Sequence, residues 1–151
     1  MSIVIPQPSD KISKYFTYKE ALWLPQWKRM ATEDDGVTQQ TLDNLKALFL
    51  KMDILRDWLK APINVHVAFR SDEYNKLVGG APDSAHRAAA PNVAAVDFDV
   101  GGKKCDDIRT TILNNNKLTE LGLRMEDLPG SNWVHLDTRP PIIANHRFFK
   151  P

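Results

Sequence analysis

At 151 residues and 42% hydrophobic, the chain is long enough to bury a real core and has the size of one domain. Its 20 basic and 19 acidic side chains leave a net charge of +1, which excludes a long-range field for capturing nucleic acid or an anionic membrane. With Cys105 the only cysteine, an internal disulfide and a cysteine-rich structural zinc shell are excluded as well.

From Met1 to Phe16 there is no basic region leading into an apolar one, and no stretch reaches the roughly 18 apolar residues of a membrane span. Synthesis in the cytosol is expected, so a substrate beyond the membrane would have to be reached by a route other than a signal peptide. Residues 1–14, with Pro6 and Pro8, read as an extended arm on a single domain covering 1–151. Thr17 and Glu20 form a capping box ahead of Ala21, Leu22 and Trp23, so a helix begins at Phe16–Glu20 and Pro25 ends or bends it. Asp34-Asp35-Gly36 is a turn. From Thr41, the residues Leu42, Leu45, Leu48, Phe49, Met52, Leu55, Trp58 and Leu59 recur at helical spacing and predict the main core helix.

Ala61-Pro62 stops that helix. Ile63, Val65, Val67 and Phe69 then alternate with polar residues as in a half-buried strand, with Arg70 leaving its end. Residues 71–92, rich in Gly, Pro and Ala, read as a long connection ordered around a site. A second strand spans Val93 to Val100, with Asp97 and Asp99 on one face and Val96, Phe98 and Val100 on the other. A helix over Asp106 to Leu113 follows. Leu121 to Glu126 and Asn132 to Thr138 read as two strands of a hairpin through Leu128-Pro129-Gly130-Ser131, and the tail from Pro140 reads as irregular.

Two imidazoles and a carboxylate stand out in this layout: His86 after the loop, Asp97 in one strand and His135 in another. Catalytic zinc takes three such ligands and leaves a position open for water. The three meet only if the two strands are sheet neighbours. His135 shares its strand face with Trp133 and Asp137, and the small Ala94 and Ala95 leave room for an ion. His66 and His146 fall outside this set, and His146 is expected to be exposed.

The strings Ser84-x-His86, Ala95-x-Asp97 and Trp133-Val134-His135 resemble those of the zinc D-alanyl-D-alanine carboxypeptidases and peptidoglycan endopeptidases, whose fold is shared with the Hedgehog signalling domain. Phe16-Thr17-x-x-Glu20, Leu55-Arg56, Pro62-Ile63-x-Val65, Phe69-Arg70-Ser71, Asn75 and Val78-Gly79-Gly80 follow in the order seen in a branch common among phage lysis proteins and bacterial murein hydrolases. The likeness covers residues 16–138.

The resemblance implies an α+β fold in which a small antiparallel sheet carries a zinc site and packs against helices. It makes His86, Asp97 and His135 the zinc ligands. Arg70 becomes the substrate-binding arginine, its planar fork suited to a peptide carboxylate or carbonyl, with Ser84 beside it. Asp137 can hold a ligand histidine in one tautomer, and Asp99 is a second candidate for that work.

Two departures are visible. Ten residues separate His86 from Asp97, more than the family usually has, and Val93 stands where a glycine is expected. Arg87 to Asn92 therefore reads as an insertion that reshapes the rim of the cleft without moving either ligand. Asn132 stands where many members place the catalytic glutamate, so that role passes to Glu126, nine residues before His135, with Asp127 as the alternative.

The activity so implied is zinc-dependent hydrolysis of stem peptides in bacterial peptidoglycan, as in a phage-type bacteriolytic endolysin cleaving an L-alanyl-D-glutamate or D-alanyl bond. A cytosolic enzyme of this kind acts on the wall after release, as a monomer, with no nucleic-acid or membrane partner. The competing reading is a non-catalytic zinc-containing peptidoglycan-binding module of the same fold.

Overall fold

The computed structural model describes residues 3–143 and 146–150. Near the N-terminus, Ile12 is buried. Asp53, from the long helix, accepts hydrogen bonds from Ser13 Oγ and from the backbone amides of Lys14 and Tyr15. These bonds tie the end of the N-terminal segment to the core.

The capping box forms as the sequence predicts. Thr17 Oγ1 accepts from Glu20 N, Glu20 accepts from Thr17 N, and helix α1 runs Tyr18–Leu22. The chain leaves it into a two-stranded ribbon, β1 (Trp23–Leu24) with β2 (Arg29–Met30). The acidic turn follows and closes on Gly36, whose φ of 90° suits only glycine at low cost. Helix α2, Gln39–Leu59, buries Leu42, Leu45, Leu48, Phe49, Met52 and Leu55 and ends at Lys60 in the left-handed conformation, just before Ala61-Pro62.

Five strands form the central sheet in the order β3-β4-β6-β5-β7. These are β3 (Ile63–Val67), β4 (Ala95–Val100), β5 (Arg124–Glu126), β6 (Val134–Asp137) and β7 (Phe148–Phe149). All pairs are antiparallel except β5 with β7. This is the small, largely antiparallel sheet of an α+β fold. Val96, Phe98, Val134, Leu136 and Met125 share one core with the apolar residues of α2. Period-two alternation therefore turns Asp97, Asp99, His135 and Asp137 toward the opposite, open face.

The structure departs from the sequence expectation in three places. The connection 71–92 contains helix α3, Asp72–Leu77, capped by Ser71, and a single 3-10 turn at Ala85–Arg87. Leu121 ends a further helix, α5 (Lys117–Leu121), rather than opening a strand. Gly122, at φ 69°, turns the chain into β5. Helix α4, Cys105–Asn114, precedes it. The tail is not wholly irregular, because β7 adds to the sheet edge. Helices of five or six residues show too few turns for apolar periodicity to reveal them, and a two-residue strand shows none. No helix among the described residues is long and apolar enough to cross a membrane.

Candidate metal centre

The registers decide which side chains meet. Asp97 pairs directly with His135 across β4 and β6, so the two expected strands are sheet neighbours. His86 arrives from the other side: Ser84 Oγ accepts from His86 N, and Arg70 N donates to the His86 carbonyl at 2.8 Å, fastening the 3-10 turn to the exit of β3. One donor atom from each of His86, Asp97 and His135 then lies within 4.8 Å of the others, and all three residues are buried.

The outer hydrogen bonds orient both rings. His86 Nδ1–H donates to the Ala68 carbonyl at 2.7 Å, which leaves Nε2 with its lone pair facing inward. His135 Nε2–H donates to Asp137 Oδ2 at 2.9 Å, which leaves Nδ1 facing inward. Asp137 is itself held by Arg124, Nε to Oδ1 at 2.8 Å and Nη2 to Oδ2 at 2.9 Å. The inward nitrogens stand 3.1 and 2.9 Å from Asp97 Oδ1, another acceptor. Three electron pairs converging at such distances need a cation among them. The donor set therefore fits a mononuclear zinc site with an open position.

The electrostatics carry the same signature. Burial pushes the Asp97 carboxyl up, but the His86 and His135 imidazoles outweigh it and hold the group far below the ordinary carboxylate range. Burial pulls His135 down, yet its hydrogen bonds to Asp137 and Asp97 push it up to about 9. Asp137 is held low despite its burial, by the hydrogen bonds from His135 and Arg124. In the absence of an ion, a proton on His135 serves as the cation.

A cleft of about 550 Å³ opens over these groups, bordered by Arg70, Ser84, Glu126, Trp133, Arg139 and Phe149 among others. Glu126 Oε2 stands 3.9 Å from His135 Nδ1. Asp127 does not border the cleft, because the next residue along a strand faces the other way. Arg70 Nη2 donates to Asp97 Oδ2 at 3.4 Å, and its buried Nε has no partner among the described residues. Ser84 borders the cleft while capping the turn that carries His86.

Three expectations need correction. Asp99 touches neither ligand histidine; it accepts from Asn64 and pairs with His66 instead. Ala94 packs in the main core, and only Ala95 lies on the metal side, in a small cluster with Ala85 and Val93. The stretch Arg87 to Asn92 does not border the metal cleft. Buried Asn44 of α2 draws it away, donating to the carbonyls of Ala88, Ala90 and Val93 and accepting from Asn92 N.

Sequence reasoning also missed two residues. Arg124 and Phe149 complete the centre, the guanidinium lying 4.0 Å over the Phe149 ring and that ring meeting His135 edge-on at 5.9 Å. Alternation along β5 could have placed Arg124 on the face of Glu126. No signal in the sequence marks Phe149. His146 is exposed, as expected, and His66 takes no part in the centre.

An α+β sheet that converges two histidines and an aspartate on one point able to hold a metal ion, with a glutamate beside them, has the donor set of a mononuclear metallohydrolase centre. The chain matches the family description Peptidase M15 over residues 14–137 and belongs to that peptidase family. No curated protein and no solved structure matches it.

Proposed function

We propose that the protein is a zinc-dependent peptidase that hydrolyses peptide bonds in the stem peptides of bacterial peptidoglycan, in the manner of a phage-type endolysin that acts on the wall once released from the cytoplasm of the producing cell. One observation carries the catalytic reading: Glu126 stands beside the inward nitrogen of His135 in the cleft where three acceptor atoms converge.

His86, Asp97 and His135 would hold the zinc. When bound, zinc supplies a Lewis acid that makes water a better proton donor and polarises a carbonyl. Glu126 accepts the proton from the attacking water and returns it to the departing amine. Arg70 borders the cleft and presents its fork to a substrate carboxylate or carbonyl. Asp137, held in place by Arg124, keeps the His135 ring in the tautomer that points Nδ1 inward. The rim cations Arg139 and Lys150 suit a stem peptide that carries free carboxylates.

The competing reading, a zinc-containing wall-binding module without catalysis, loses support from the position of Glu126. Purified walls incubated with zinc-loaded protein test the choice. Clearing that EDTA abolishes and zinc restores is expected. Glu126→Gln should keep its zinc and lose activity by about 10²-fold or more, the scale of general acid-base help. Zinc-loaded wild-type protein that binds walls without releasing new amino termini would establish the module instead.

A further inference from the structure

A second row of side chains crosses the open face of the sheet beside the metal row. Continuing the β4–β6 register one step beyond Phe98 and Val134 sets Asp99 opposite Trp133, and the β3–β4 register sets Asn64 opposite Asp99. Asn64 Nδ2 donates to Asp99 Oδ1 at 2.8 Å, and His66 Nε2 pairs with Oδ2. None of these residues has a part in the metal centre.

Trp133 is not a core aromatic. It is 39% exposed, and its position is fixed through the backbone, its carbonyl accepting from Arg109 Nη1 and Ser131 Oγ. The residue borders the metal cleft. On the Asp99 side of that row lies a separate cavity of about 580 Å³, bordered by Asp99, Lys103, Lys104, Asp106, Ser131 and Asn132. Its two lysines and two aspartates balance, so it offers no net attraction to an ion. What it offers is a carboxylate, an amide and a hydroxyl; Trp133 does not line it but follows Asn132 in the chain and stands opposite Asp99 in the register, and an indole needs little entropy to be used as a contact. That combination suits a neutral, polyhydroxylated ring: the C–H face of a pyranose stacks on an indole while its hydroxyl and acetamido groups bond to the polar side chains.

We propose that the strip of Trp133, Asp99, Asn64 and His66 is a subsite for an amino sugar of the glycan strand. The proposal rests on the peptidoglycan reading above and deepens it. Two residues along a strand span about 7 Å, the same reach as about two extended residues of bound peptide. A sugar on this strip therefore lies within one or two residues of the scissile bond. The bond cut is then near the glycan-proximal end of the stem, within its first two peptide bonds, and not at its distal D-alanine.

Two substrates with the same stem test this: one carrying the N-acetylglucosaminyl-N-acetylmuramic disaccharide and one a free peptide. The wild-type kcat/KM is expected to favour the glycan-linked substrate by about tenfold, mainly through KM, the scale of one stacked ring with a hydrogen bond. Trp133→Ala and Asp99→Asn should each bring that ratio close to one. Mass spectrometry should find the disaccharide released with no more than one or two amino acids attached. Equal kcat/KM on both substrates, a ratio unmoved in the variants, or cleavage at the distal D-alanine overturns the proposal.

If neither substrate is cut, the peptidase reading fails separately. Saturation-transfer NMR with the disaccharide alone then decides the subsite. Binding by zinc-loaded wild type that is lost in Trp133→Ala supports it, and no binding by wild type overturns it.

Discussion

Arg124 grips both oxygens of Asp137, at 2.8 and 2.9 Å, with 8% and 1% of the two side chains exposed. Through Asp137 the grip reaches His135, so a pair outside the candidate ligand set orients the ring of one candidate ligand.

Removing one partner leaves a buried charge unpaired, and Arg124→Ala is expected to destabilise the zinc-free protein by about 3–5 kcal/mol. Asp137→Asn should weaken zinc binding by about 10–100-fold, the usual scale for losing the carboxylate behind a ligand histidine. Urea denaturation measures the first and competition with a chromophoric chelator the second. Unchanged zinc affinity in Asp137→Asn would show that the tautomer is set by something else.

The pH dependence has a definite sign. His135 is raised from 6.5 to about 9, because the bonds to Asp137 and Asp97 outweigh its burial. A raised folded-state value stabilises fully below the unfolded value and is lost as pH rises through the folded one. The zinc-free protein should therefore lose Tm between pH 6.5 and 9. Zinc displaces the His135 proton, so apparent zinc affinity should climb over the same interval, by about tenfold per pH unit for one released proton. Calorimetric Tm with and without zinc across that range checks both trends. A zinc-free Tm that rises from pH 6.5 to 9 would contradict them.

Gly80 lies where a side chain has no room. A Cβ there would stand 2.0 Å from Asn75 Oδ1 and 3.2 Å from Arg70 Nη1. Asn75 Nδ2 also donates to the Ala81 carbonyl, so the amide cannot yield without loosening the wall of the cleft. Gly80→Ala should raise KM severalfold by shifting the Arg70 fork while zinc stoichiometry stays unchanged. Steady-state kinetics with metal analysis separates the two effects, and an unaltered KM would show that Arg70 is positioned independently of this wall.

Asn44 holds three carbonyls and one amide of the 88–93 segment. Asn44→Ala leaves those buried groups unsatisfied and should cost about 1–3 kcal/mol. Limited proteolysis should then cut within 88–92 while zinc still binds. Full protease resistance would mean that the loop is held by its other contacts.

The candidate metal ligands were legible because their chemistry is scarce: a histidine after a loop, with an aspartate and a second histidine on two alternating strands, leaves few other assignments, and the register demand was explicit. The long helix and the capping box at Thr17 were legible because they depend on near neighbours. Asn44 was not, since a polar residue on an amphipathic helix looks solvated until the loop it binds is in place. Arg124 reads as an ordinary strand arginine, yet Asp137 makes it a buried one. The loop 87–92 misled for the same reason: its added length is visible in sequence, but the direction in which it folds depends on a side chain 44 positions before Ala88.

Because Phe149 on the parallel edge strand closes over both Arg124 and His135, the cleft draws on the polypeptide from Arg70 through Lys150. During synthesis, every shorter nascent product lacks that last wall, so the cleft is whole only once residues 149 and 150 have left the ribosome and joined the sheet edge.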